Sequence, residues 1–277
     1  MNASIERIQR GIPGFPLGFY NQARDREDVC ITPLHYHNDL EFLLPLTGTV
    51  KILLDGEAIL VRQGCLCAYH AGVPHAMYSG SSDTHYLCFV LPKELLRLSA
   101  ENAVQQQLIE PLYTGTLRLT FATQDAQILA DAKEICTLCK DIQKNKHMLT
   151  AMLFHLLALY EQKGLICQSD PPSPSPVYAA ISFMEQHLSE HIDLQSIANA
   201  AGMSPKYFCT YFKKRSGSTP ITYLTALRIR RACILLKDPA LSVLQIAGDC
   251  GFDNVSFFIK KFKAATGQTP GQFRKNK

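Results

Sequence analysis

Two short segments of this 277-residue chain carry side chains whose types and spacing could do chemistry. The first, "HYHNDLEFLLPLTG", begins at His35, holds His37 and Glu41, and closes on Gly48. On an extended strand, residues two and six apart share a face, so a single strand would turn His35, His37 and Glu41 together toward an interior. The second, "GCLCAYHAGVPH", adds His75 behind a Gly-x-x-His turn. Buried imidazoles and carboxylates cost stability unless something pairs with them. Such a cluster either lines a pocket for a small-molecule effector or hydrogen-bonds internally and to structural water. No activated serine, cysteine nucleophile or phosphate-binding glycine loop accompanies it. An enzyme would have to rest on this cluster alone.

The elements that must carry these residues read as strands. From Ile31 to about Pro92, short apolar runs such as "TVKILLDG", "EAILVRQG" and "HYLCFVLP" are punctuated by Gly and Asp, the pattern of a strand meander in a sandwich or small barrel. The two polar segments resemble the paired motifs of the cupin fold, H-x-H-x3-E-x6-G and G-x5-P-x-G-x2-H. The first is complete from His35 to Gly48; in the second, His70 replaces the proline and Ser79 the usual asparagine. The resemblance implies a cupin-like barrel. It also implies that His35, His37, Glu41 and His75 stand where metal-binding cupins hold a divalent metal by three imidazoles and one carboxylate.

From Lys93 to Gly164 the period becomes helical. Leu129, Ala132, Ile135, Cys136 and Cys139, then Leu149, Leu153, Leu156, Leu157 and Tyr160, form stripes on two helices predicted to join near Lys144 to Lys146. The Cys136-x-x-Cys139 pair lacks a second ligand pair and reads as packing rather than zinc. The other cysteines among the ten are scattered through a chain whose start has no apolar signal-like run, so buried reduced thiols are expected. The longest apolar stretch, "MLTAMLFHLLALY", is too short to span a bilayer, which suits a soluble cytoplasmic protein with no membrane partner.

The halves on either side of "QSDPPSPSP" differ in charge. Residues 1–176 carry 14 Lys and Arg against 18 Asp and Glu, a net −4, whereas residues 177–277 carry 14 against 6, a net +8. A compact basic domain behind a Pro/Ser linker is the electrostatic footprint of a polyanion binder. That domain contains an internal repeat: "FCTYFKKRSGSTP" (Phe208 to Pro220) returns as "FIKKFKAATGQTP" (Phe258 to Pro270). Upstream, Ile197, Ala198 and Gly202 match Ile246, Ala247 and Gly251. Each copy reads as a short helix, a turn through glycine, and a second helix whose aromatic pair (Phe208/Phe212 or Phe258/Phe262) faces a core. Ser204 and Asp253 are the expected caps of the second helices.

This order of elements resembles the DNA-binding domain of the AraC/XylS family of transcription regulators over Val177 to Lys277. The resemblance implies that bases are read by Lys206, Cys209 and Thr210 in the first copy and by Ser256 and Lys260 in the second. Lys213, Lys214, Lys261 and Lys263 are placed to clamp phosphates. The expected fold class is α+β. Residues 1–166 would form a cupin-like barrel with a helical dimerisation segment, 167–176 a linker, and 177–277 an all-α domain with two helix-turn-helix units. The implied function is a sequence-specific DNA-binding activator that responds to a small molecule in the barrel and is not an enzyme. Its implied partners are double-stranded DNA, the effector, RNA polymerase and a second copy of the chain in a homodimer. The alternative is a metal-dependent cupin enzyme with a DNA-binding accessory domain.

Overall fold

The computed structural model describes residues 11–54, 57–169 and 175–275. Residues 1–10, on which the signal-peptide reading bears, and 170–174, the middle of the predicted linker, lie outside the described residues. Most of the chain up to Ser173 belongs to one compact unit, and Pro174–Lys277 to the other.

The first unit starts with strands β1 (Gly18–Arg24), β2 (Cys30–His35), β3 (Leu40–Thr47), β4 (Thr49–Leu54), β5 (Glu57–Arg62), β6 (Leu66–Tyr69), β7 (His75–Ser79) and β8 (Thr84–Leu91). It continues through α1 (Glu110–Thr114), β9 (Leu117–Leu119), β10 (Ala122–Thr123), α2 (Ala126–Leu138), α3 (Ile142–Gln162) and β11 (Ile166–Gln168). One sheet has the order β1-β8-β3-β6-β10 and another β2-β7-β4-β5, while β9 pairs with β11.

Strand β3 is buried on both faces and divides its residues by parity. Leu40, Phe42 and Leu44 pack with Phe89 and Leu91 of β8 against the apolar stripes of α2 and α3, and Phe42 stacks on Phe89 at 4.8 Å. Leu43 turns the other way and shares the interior with Val50, Ile52, Cys67, Cys88 and Val90. Glu41, of the same parity as Leu43, is sent to that interior as well.

The helical stripes are seen as expected, but the joint lies at Cys139–Asp141, ahead of the predicted Lys144 to Lys146. Asp141 is the reason: its carboxylate accepts the Lys144 amide and caps α3. The apolar period runs unbroken across the joint and conceals it. All ten cysteines are outside any disulfide. Burial pushes both Cys136 and Cys139 up to about 12.

The second unit has seven described helices: α4 (Pro176–Gln186), α5 (Leu194–Ala200), α6 (Pro205–Ser216), α7 (Pro220–Leu235), α8 (Val243–Asp249), α9 (Val255–Thr266) and α10 (Pro270–Lys275). Both copies of the repeat form helix-turn-helix units, α5–α6 and α8–α9. The repeat also extends one helix further than the quoted motif. Phe208 meets Phe212, which meets Tyr223 of α7 edge-on; likewise Phe258 meets Phe262, which meets Phe273 of α10 edge-on. Helix α9 is capped by Asn254, which accepts the Phe257 amide, not by Asp253 as predicted. Ser204 occupies the cap position of α6 without a side-chain cap bond, and Pro205 supplies the helical φ of the first turn.

Arg228, on the connecting helix α7, ties the segment after α4 to the turn of the second copy. Its Nε donates to the Leu188 carbonyl at 3.1 Å and its Nη2 to that of Glu190, while the guanidinium lies 5.9 Å from the centre of the Phe252 ring. Gly251 turns beneath it with φ 75°, and a Cβ there would stand 2.5 Å from the Leu188 carbonyl oxygen and 2.7 Å from Arg228 Nη2. Gly251→Ala should therefore lower stability in urea by more than about 2 kcal/mol, from backbone strain and clash together. Gly248→Ala, in exposed helix with nothing within 4 Å of the added carbon, should gain about 0.5–1 kcal/mol. Equal effects at the two positions would refute the constraint.

Candidate functional site

The four polar residues of the barrel do come together, by a different route from the one their spacing suggested. A single extended strand is not formed: His35 ends β2, His37 lies in the connection, and Glu41 is the second residue of β3. The chain bends at Asn38–Asp39, where the Asp39 carbonyl accepts from His37 Nδ1 at 3.1 Å. His75 opens β7, so the cluster draws on both sheets. The Gly72 amide donates to the His37 carbonyl at 2.7 Å and ties the two motif segments together. The two motif departures have structural partners too. His70 Nε2 bonds the Leu119 carbonyl at 3.1 Å, and Ser79 Oγ accepts the Val29 amide at 2.8 Å.

The histidines share one orientation. The Nδ1 atoms of His35, His37 and His75 lie 3.0, 3.1 and 2.8 Å from the carbonyls of Pro33, Asp39 and Val73. A carbonyl only accepts, so each Nδ1 carries a proton and Nε2 is left as the ligand atom. His37 Nε2 lies 2.8 Å and His75 Nε2 3.2 Å from Glu41 Oε2. The other oxygen, Oε1, accepts from the Cys88 thiol at 3.0 Å. All four side chains are buried, and their ligand atoms lie within 4.8 Å of one another. Imidazole lone pairs and a carboxylate cannot face each other so closely without a positive centre between them, either protons on the imidazoles or a cation. Backbone carbonyls on the outer ring nitrogens also orient imidazoles for metal ligation. The donor set thus fits a divalent transition metal. Burial pushes the Glu41 carboxyl up, but hydrogen bonds and charge from His37 and His75 outweigh it and hold the group well below the ordinary value.

Cys88 was not legible as part of this site. Its place follows from register: it pairs with Leu43 across β3–β8, one row from Glu41, and no spacing in the sequence carries that information.

On the second unit, the predicted base readers Lys206, Thr210, Ser256 and Lys260 are exposed on α6 and α9, while Cys209 is half-buried at the side of α6. The predicted phosphate clamps Lys213, Lys214, Lys261 and Lys263 are exposed as well, and Lys261 Nζ lies 5.2 Å from the centre of the Phe257 ring. The aromatic pairs Phe208/Phe212 and Phe258/Phe262 are fully buried behind these faces. Sequence reasoning passed over two exposed rings, Tyr207 and Phe257, which occupy the same position in the two copies. Among the described residues, no helix is long and apolar enough to cross a membrane.

A strand-rich ligand-binding domain followed by twin helix-turn-helix units defines a DNA-binding transcription regulator. Residues 18–169 match the AraC-like ligand binding domain and residues 197–276 a helix-turn-helix domain, and the chain belongs to the AraC family of regulators. Similar proteins include the uncharacterized HTH-type transcriptional regulator YdeC of Bacillus subtilis, 25% identical over 94% of this chain and 92% of that one. The HTH-type transcriptional activator RhaS of Escherichia fergusonii is 23% identical over 88% of each chain. The melibiose operon regulatory protein of Escherichia coli is 22% identical over 94% of this chain and 91% of that one. Among solved structures, the AdpA DNA-binding domain in complex with a target DNA matches 37% of this chain and 92% of that one at 29% identity, with a TM-score of 0.36. ToxT from Vibrio cholerae matches 93% of this chain and 97% of that one at 13% identity, with a TM-score of 0.48.

The depressed Glu41 value has a consequence for acid stability. The folded state favours the ionised carboxyl, so this contribution is complete above the ordinary value of 4.5 and is lost as pH falls below it toward the folded value. In chelator-treated protein, the stability gap between wild type and Glu41→Gln should therefore shrink as pH falls from about 5 toward about 3. A gap unaltered by acid would show that Glu41 is not held ionised.

Proposed function

We propose that the chain is an activator whose response is set in the barrel by His35, His37, Glu41 and His75, and that these residues hold a divalent transition metal as part of the effector site. The observation that carries this is the convergence of three pre-oriented imidazoles on one buried carboxylate inside a ligand-binding domain. When bound, such a metal supplies a positive centre able to take an oxygen or nitrogen donor of an effector. The chain's own residues orient the donors: three backbone carbonyls fix the imidazole protons, and Cys88 holds the second Glu41 oxygen. An effector acts through its differential affinity for two arrangements of the protein.

On the DNA side, Lys206, Cys209, Thr210, Ser256 and Lys260 read bases, and Lys213, Lys214, Lys261 and Lys263 contact phosphates. Regulators among the relatives, one named as an activator, support a non-enzymatic role in activation. In this reading the protein is cytoplasmic, contacts RNA polymerase, and pairs as a homodimer through α2 and α3, where Met148 is exposed. The Pro/Ser segment between strand β11 and helix α4 serves as the linker.

Two experiments test this. Elemental analysis of the purified chain should find about one equivalent of a divalent transition metal, absent in His37→Ala, whose DNA binding stays intact while the effector response is lost. Metal-free protein that cannot be loaded would remove the metal, and a His37→Ala protein that responds normally would remove the site. DNA affinity should fall about 10³- to 10⁵-fold between 50 and 200 mM salt if about 6–10 phosphates are neutralised. Lys260→Ala should relax preference at one or two positions, at a cost of about 1–3 kcal/mol, whereas Lys213→Ala weakens all sequences alike. Uniform weakening by both would mean that the reading face is misplaced.

A further inference from the structure

We propose that Tyr207 and Phe257 are a matched pair of apolar base readers, each taking the C5-methyl of a thymine at the same place in its half of the operator. This rests on the reading of α6 and α9 as the base-reading helices.

The first observation is exposure. Tyr207 is 61% and Phe257 49% exposed, although each sits one residue before a fully buried phenylalanine. Successive helical residues turn by about 100°. The line opposite the buried Phe208/Phe212 face runs by Lys206 and Thr210, and Tyr207 stands about 60° from it, whereas Cys209 stands about 100° away. The half-buried state of Cys209 agrees with that placement. Phe257 has the same relation to Ser256 and Lys260. Both rings therefore border the strip that enters a major groove.

The second observation is support. Tyr207 leans on Tyr211 at 6.1 Å between ring centres, and Arg215 covers the Tyr211 ring at 4.3 Å. Phe257 leans on Phe252 at 6.4 Å, with Lys261 Nζ 5.2 Å from its centre. Each ring thus has an aromatic neighbour within its own unit to lean on, which reduces the side-chain freedom to be lost on contact. Lys261 beside Phe257, and Arg215 one ring removed from Tyr207, would bring phosphates close and leave the outer parts of the two rings to the bases.

The third observation is repetition. Between the copies, Lys206 is replaced by Ser256, Cys209 by Ile259 and Thr210 by Lys260, so the polar readout differs. The aromatic position is kept. An apolar ring selects the one apolar group on the floor of the major groove, the thymine methyl. The two half-sites should therefore differ where the polar residues read, yet share a thymine about 10 bp apart in direct repeat.

The test uses the full-length chain. Sequences selected from a random duplex pool should show that repeated thymine. Replacing either thymine by deoxyuridine removes only the methyl and should weaken wild-type binding about fourfold, the worth of one buried methyl group. Tyr207→Ala should lose sensitivity to the methyl in one half-site and Phe257→Ala in the other, each keeping it in the half it does not touch. Tyr207→Phe should retain full sensitivity, and unchanged thermal melting would confirm folding. The proposal is overturned if no thymine recurs at matched positions, if deoxyuridine costs the variants as much as wild type, or if the alanine variants bind as wild type, as they would if the rings docked a protein. If Lys260→Ala also leaves every base preference unchanged, the reading-helix assignment itself has failed.

Discussion

Strand β3 has no solvent face, and the first unit is organised around that constraint. On one side Leu40, Phe42 and Leu44 anchor the sheet to α2 and α3; on the other Leu43 belongs to the interior cluster. A slip of one residue in pairing would exchange these sets and press a carboxylate into the helix interface. The hydrophobic packing that fixes the register therefore also fixes Glu41 in the interior. Once there, the carboxylate has no water to ionise into and depends on His37, His75 and Cys88 for every contact that holds its charge. A chemical site has been built from a packing decision, with the β2–β3 bend and the start of β7 supplying the imidazoles.

The second unit depends on a different kind of restraint. A guanidinium fastened to two carbonyls at the end of the first helical segment, and pressed against the second copy's turn, leaves α7 little room to pivot. Burial lowers the Arg228 value, with the nearby Asp253 charge opposing that effect. Asp253 thus serves the strut electrostatically, while Asn254 takes the capping role. The exchange is physically sensible, since an amide carbonyl satisfies a helix amide as well as a carboxylate does and spares the charge for its partner.

Duplication supplies the unit's economy, and divergence its information. Both copies use the same chain of three rings, ending edge-on in Tyr223 and in Phe273, so one packing solution serves twice. The exposed side of the same helices has been rewritten at the polar positions. A reader with two unlike halves gives a DNA site polarity, which a symmetric dimer of one reading helix lacks.

Much of this was legible in the residues themselves. Local order carried the strand meander, the helical stripes, the repeat and its glycines, because period, turn chemistry and capping are properties of neighbouring side chains. The cupin-like motifs marked all four cluster residues, although the strand that was to unite three of them is broken at Asn38–Asp39. The α2–α3 joint was misplaced because apolar periodicity is blind to a cap inside a continuous stripe. What no reading along the chain could show is pairing across it: that Cys88 reaches Glu41, that Arg228 meets Leu188 and Gly251, and that Tyr207 and Phe257 stay uncovered while their neighbours are buried. Those facts depend on strand register and on how helices close over a core. They are set by the sum of contacts between segments remote in sequence, and only the tertiary structure decides that sum.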